Sequence, residues 1–175
     1  DATPAIDASP PEEDANPVCL GDPLPPRERL ALGEALHRWL ELIHDHWSEA
    51  WLGDWFEAHA PALRSSLRLA GAPRDRLETL ETQLVAQLRA LLADEKLRGL
   101  LAPTGKVRSY AEAAYLAPEG AALRRRIVDR LWRDDAGRWR IVDYKTGAES
   151  EATRVKWREQ LAGYRAAVAE AEEGE

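Results

Sequence analysis

From Pro26 onward the apolar positions recur at intervals of three and four: Leu32, Leu36, Trp39, Leu40, Ile43 and Trp47. That spacing lays one stripe along a helix predicted to run from about Pro26 to Trp51. Gly33 lies inside this helix, where it costs ~1 kcal/mol relative to Ala and so marks a close approach of another backbone or a ligand. His37 follows one turn later on the side of Gly33 and Glu41, beside the stripe. Trp39, Trp47, Trp51 and Trp55, at spacings of eight and four, favour one buried stripe over a platform for stacking bases. An Ala-Pro step at 60 and 61 precedes a short predicted helix over 62–70, and a Gly-Ala-Pro break at 71–73 precedes an amphipathic one over 74–93. Leu77, Leu80, Leu84, Leu88 and Leu91 form the inner face of the latter.

Beyond residue 105 the period shortens. Runs rich in β-branched and aromatic residues predict strands over 106–117, 122–134 and 138–145, and a helix follows over Thr153–Glu173. Asp134-Asp135-Ala136-Gly137 punctuates the last two strands as a hairpin. If the loop is Asp135–Gly137, residue 134 pairs with 138, and Asp129 therefore falls opposite Asp143. Directly opposed residues share a face with Cβ atoms roughly 5 Å apart. Slipping the register by one residue would send them to opposite faces. Helices, an antiparallel hairpin and a final helix make an α/β or α+β layered arrangement.

The chemistry converges on that hairpin. Asp143 and Lys145 are two residues apart on a strand and point the same way. Such a pair fits a strand-edge salt bridge equally well, so the neighbours decide. Two carboxylates as close as Asp129 and Asp143 repel unless a cation or a proton lies between them, and a hard cation with oxygen ligands meets that need. Gln160 and Tyr164, at i and i+4 of the last helix, stack on one face and suit a phosphate or a base, although surface pairs at this spacing usually do nothing. His44-Asp45-His46 after His37 reads as a solvated helix end rather than a second metal seam.

Composition adjusts this picture. A net charge of −7 runs against nucleic-acid binding, but residues 1–22 hold six acidic groups and no Lys or Arg, and 170–175 hold four more acids. Without these, 21 acidic residues face 24 basic ones, a weakly basic core with arginines clustered at 124–126, 130 and 133, most of which are expected on a solvated face. Seven of the eleven prolines fall in residues 1–26, which predicts an extended acidic linker, followed by one domain over 27–169 and an acidic tail over 170–175. The chain has no Met, so Asp1 is expected to lie within a longer polypeptide. Its single cysteine, Cys19, excludes an internal disulfide and a four-cysteine iron-sulfur cluster. No apolar run reaches the ~20 residues that span a membrane, and the N-terminus lacks a basic signal-peptide region, so a cytoplasmic protein is expected.

The order Gly33-x-x-x-His37, then Asp129 in Ile-Val-Asp-Arg-Leu, then Asp143-Tyr144-Lys145-Thr146-Gly147, then Gln160-x-x-x-Tyr164, resembles the RecB-type branch of the PD-(D/E)XK nucleases over roughly residues 28–168. The resemblance is nearest to the C-terminal nuclease domain of bacterial helicase-nucleases of the RecB and AddA kind. It implies a restriction-endonuclease-like α/β core, with a mixed central sheet carrying the antiparallel hairpin, flanked by helices and preceded by a helical segment. It also implies that His37, Asp129, Asp143 and the backbone carbonyl of Tyr144 hold Mg²⁺ or Mn²⁺, and that Lys145 orients or activates the attacking water. Gln160 and Tyr164 would position DNA, single strands above all, fed by a helicase domain of the parent chain with other subunits. Two features depart from or extend the pattern. Arg126 stands where the family commonly has Gly, and Glu112 falls on a strand that often carries an acid, making both secondary site candidates. A catalytically silent DNA-guiding module and a stand-alone repair or phage-type exonuclease are the alternative readings.

Overall fold

The computed structural model describes residues 24–102, 107–119, 122–145 and 150–172. Most of the expected linker, Thr146 and Gly147 of the motif, and residues 173–175 of the expected tail lie outside the described residues. The described residues divide into two compact units, one within 24–102 and the other within 107–172. The first is helical, and the second carries the sheet.

In the helical unit α1 spans Pro26–Asp45 and opens with a proline in its first turn, where no intrahelical N–H is required. It stops six residues short of the expected end. Ser48 begins a single 3₁₀ turn, Glu49–Leu52, by accepting the Ala50 N–H on its hydroxyl at 3.2 Å. The turn brings Trp51 and Trp55 back against Trp39, with ring centroids 6.4 and 5.6 Å away in edge-on contacts. Phe56, on the short helix α2 (Trp55–Ala58), joins the same cluster. Trp39 and Trp51 are thus core residues, as the spacing predicts, but with Trp55 they meet as a cluster across a turn instead of a stripe along one helix. Trp47 and Trp55 are only half-buried. His44, expected in solvent, is buried.

Helix α3 (Ala60–Leu69) ends in a Schellman turn: the Ala72 N–H reaches back to the Leu67 carbonyl at 2.9 Å, and Gly71 adopts φ 85°. A 3₁₀ turn at Arg74–Arg76 leads into α4 (Leu77–Ala93), and Asp94 then caps α5 (Glu95–Leu101) by accepting the Leu97 N–H at 2.9 Å. Leu63, Leu67, Leu80, Leu84 and Leu88 are fully enclosed where α1, α3 and α4 pack together. The inner face of α4 closes with Leu92 in place of the expected Leu91. A four-residue step from Leu88 drifts about 40° around the helix and a three-residue step about 60°, so Leu92 stays nearer the stripe. A polar pair in this core is satisfied, since the Trp39 indole donates to Ser66 Oγ at 2.9 Å and that hydroxyl donates to the Leu63 carbonyl.

The sheet unit contains β1 (Val107–Glu119), β2 (Ala122–Arg133) and β3 (Trp139–Val142), antiparallel in the order β1-β2-β3, and α6 (Glu151–Glu172) packs against all three. The described strands are therefore antiparallel throughout, and the sheet with its helices matches the expected nuclease-type core. Arg130 pairs with Val142 and Arg133 with Trp139, the register read from the sequence. The loop has a physical cause. Gly137 takes φ 77°, which closes a three-residue hairpin, and the Asp134 carboxylate accepts the N–H groups of Ala136 and Arg138 at 3.0 and 2.9 Å. Val128, Leu131, Tyr164 and Val168 form one buried cluster. A regular pleat would send Val128 and Leu131 to opposite faces, and the interruption coincides with Glu112, which lies across from Asp129 with φ 50°.

Candidate active site

β3 ends at Val142, and the chain leaves the sheet carrying Asp143, Tyr144 and Lys145. Continuing the register puts Asp143 across from Asp129. The two arms are tied together at that point, because the Tyr144 N–H donates to Asp129 Oδ2 at 2.6 Å. The Asp143 side chain is only 5% exposed, and its Oδ2 is ion-paired with Lys145 Nζ.

Helix α6 completes the arrangement through a single amide. Gln160 Oε1 accepts from Lys145 Nζ at 2.9 Å, while its Nε2 donates to Asp143 Oδ1 at 3.4 Å and to the Tyr164 hydroxyl at 2.5 Å. An ammonium can only donate, which fixes the amide's orientation: oxygen toward Lys145, nitrogen toward Asp143 and Tyr164. Burial raises the Tyr164 phenol above its ordinary value, the Gln160 bond opposes this, and the negative charges of Asp143 and Asp129 add to it. Tyr164 is thus a neutral hydroxyl at physiological pH. Tyr144 turns its hydroxyl into the protein, where burial raises it further, with Asp129 adding and Arg130 opposing.

Glu112 and Asp129 present carboxylate oxygens within 4.8 Å of each other. A non-glycine residue at φ 50° is strained, and such strain collects at functional sites. Arg126 is half-buried opposite Tyr115 and close enough to Tyr164 to influence its phenol electrostatically. The sheet unit therefore gathers Asp129, Asp143, Lys145, Gln160 and Tyr164, with Glu112 and Arg126 at the margin. His37 lies half-buried on α1 of the helical unit, four residues after the buried Gly33.

Sequence reasoning missed Arg130. It was expected on a solvated basic face, yet it is 1% exposed, donating Nη1 to the Tyr110 carbonyl at 3.2 Å and lying 5.7 Å from the Trp132 ring. Its position in Ile127-Val128-Asp129-Arg130-Leu131-Trp132, flanked by core residues, was the available signal.

Hard carboxylate oxygens from Asp129 and Glu112 lie within 4.8 Å of each other, and the register continues to Asp143 beside the Lys145 ammonium; oxygen donors of this kind suit a divalent cation such as Mg²⁺ or Mn²⁺. The profile of the PD-(D/E)XK nuclease superfamily matches residues 18–175, and the chain belongs to that superfamily. Comparison with curated proteins and with solved structures returned no match. Membership in this superfamily brings with it nuclease chemistry, the hydrolysis of nucleic-acid phosphodiesters with a divalent metal. No helix among the described residues is long and apolar enough to cross a membrane.

Proposed function

We propose that the chain is a RecB-like deoxyribonuclease domain, the nuclease end of a bacterial cytoplasmic helicase-nuclease that acts on single-stranded DNA during double-strand break repair. The observation that supports this reading most is the Gln160 amide linking Asp143, Lys145 and Tyr164, since it makes one polar unit of two motifs separated by a loop and half a helix. Asp129, Asp143 and the Tyr144 carbonyl would hold the cation, with His37 contributed from α1 on the strength of the motif order. Glu112 is a further carboxylate in reach of Asp129. When bound, the cation lowers the pKa of a water and offsets charge on the phosphate. Lys145, anchored by Gln160, orients that water or steadies the anionic phosphoryl oxygens. Tyr164, a neutral donor beside Gln160, offers its hydroxyl to the DNA backbone.

The test is incubation of the full chain with labelled single- and double-stranded DNA in Mg²⁺, Mn²⁺ or EDTA. Cation-dependent cleavage faster on single strands is expected. DNA binding without cleavage under every condition would instead identify a silent guiding module.

A further inference from the structure

The proposed chemistry leaves a buried cation unused: Arg130 is 1% exposed. Taking a guanidinium out of water is costly, and an apolar side chain of similar volume often serves a core as well or better. A purely space-filling role beside Trp132 would be met by Met or Leu. What the guanidinium does is hold the neighbouring strand. Its Nη1 donates to the Tyr110 carbonyl at 3.2 Å, with the Trp132 ring centroid 5.7 Å from Cζ. Tyr110 stands midway between Arg108 and Glu112, the two non-glycine residues of positive φ among those described, both at 50°. β1 thus turns left-handed on either side of the point that Arg130 holds. Such backbone is unfavourable away from glycine and persists only where its surroundings impose it.

The register connects this hold to the carboxylates. Arg130 pairs with Ala111 and Val128 with Ala113, so Glu112 falls across from Asp129, the residue next to Arg130. One residue of β2 carries a carboxylate, and the next fixes the segment of β1 that carries the other. The two present oxygens within 4.8 Å of each other. Arginine suits the task better than lysine, because a planar guanidinium keeps its hydrogen bond in a fixed direction while its face rests near the indole.

We propose that Arg130 is a positioning residue for the divalent cation: by holding β1 at Tyr110 it aims the Glu112 carboxylate at Asp129 and so sets metal affinity. The proposal rests on the reading of these carboxylates as a metal site. Arg130 acts through Glu112 and not on the metal itself.

The experiment measures Mn²⁺ binding to the full chain, free of nucleic acid, by electron paramagnetic resonance. The parent chain, Arg130→Lys, Glu112→Gln and the double variant are compared, each with a circular-dichroism melt in EDTA. Arg130→Lys should weaken Mn²⁺ binding about 10–100-fold, the range for residues that orient a metal ligand. Glu112→Gln should weaken it too, and the double variant should bind no more weakly than Glu112→Gln alone, since no carboxylate is left to aim. Trp132→Leu takes the ring away from the guanidinium and should weaken binding about twofold to fivefold. That variant decides the matter if Arg130→Lys fails to fold. A residue that only fills space would lower the melt and leave the folded chain's Mn²⁺ affinity intact, and this result overturns the proposal. Losses that multiply in the double variant overturn it as well. A parent chain that binds no Mn²⁺ overturns the metal reading and the proposal together, whereas parental binding with unchanged affinity in the Arg130 and Trp132 variants removes the proposal alone.

Discussion

The two units are stabilised by different physics. The helical unit encloses Leu63, Leu67, Leu80, Leu84 and Leu88 completely, and its buried polar atoms at Trp39 and Ser66 satisfy one another. Its surface ion pairs, such as Arg89 with Glu57, contribute little. The sheet unit has a small buried cluster of Val128, Leu131, Tyr164 and Val168, and it places a fully buried arginine next to a carboxylate pair. One region is built mainly from apolar area, which is indifferent to pH. The other depends on hydrogen bonds and charges that must stay matched, and it holds the groups able to do chemistry. The difference shows that, His37 on α1 apart, the larger apolar core and the reactive groups lie on separate stretches of chain.

The largest expected effect tests the chemical side. Asp143→Ala should lower cleavage by about 10³-fold or more while leaving the circular-dichroism melt nearly unchanged, and near-normal cleavage would defeat the assignment. On the stability side, Leu84→Ala removes a fully enclosed side chain from α4 and should cost about 2–5 kcal/mol in denaturant unfolding. Hydrogen exchange should locate that loss in the helical unit. Gln160→Ala cuts the link between α6 and the Asp143–Lys145 pair, and a loss of about 10–100-fold in cleavage is expected with folding retained. An equal loss in stability would reduce Gln160 to a packing residue. The smallest effect concerns pH. The Arg138 backbone N–H, opposed by desolvation and supported by the Arg140 and Arg138 guanidiniums, holds the Asp134 carboxyl below its ordinary value. Its contribution is therefore complete above about pH 4 and is lost as pH falls through the depressed value. Asp134→Ala should cost about 1 kcal/mol near neutrality, and the gap to the parent chain should close in acid melts. A gap that persists at low pH would locate the effect in the turn's shape instead of its charge.

Much of the hairpin was legible because its determinants are local. Asp134 and Gly137 specify the loop, the loop specifies the register, and the register carries Asp129 to Asp143. Gln160 and Tyr164 were legible as neighbours for the same reason, one helical turn apart. Their joint contact with Lys145 was not, because it depends on how α6 docks on the sheet. The end of α1 at Asp45 escaped notice since the apolar period continues through Trp47 and Trp51, and only the cap at Ser48 breaks it. Arg130 was misread because residue type argued for solvent, whereas its neighbours Val128, Leu131 and Trp132 argued for the interior. The left-handed backbone at Glu112 had no sequence signal at all: glutamate is among the residues that avoid that conformation.

The short bond from the Tyr144 N–H to Asp129 bears on how an inactive variant should be chosen for trapping a bound substrate. Replacing Asp129 with alanine would delete a charge and also unfasten the strand end that carries the neighbouring carboxylate, so a dead enzyme would report on two causes at once. Asparagine at the same position keeps one acceptor oxygen for that bond while it removes the charge and turns the other oxygen into a donor. It is the cleaner tool, and comparing the two substitutions separates what the aspartate does as a clasp from what it does as an acid.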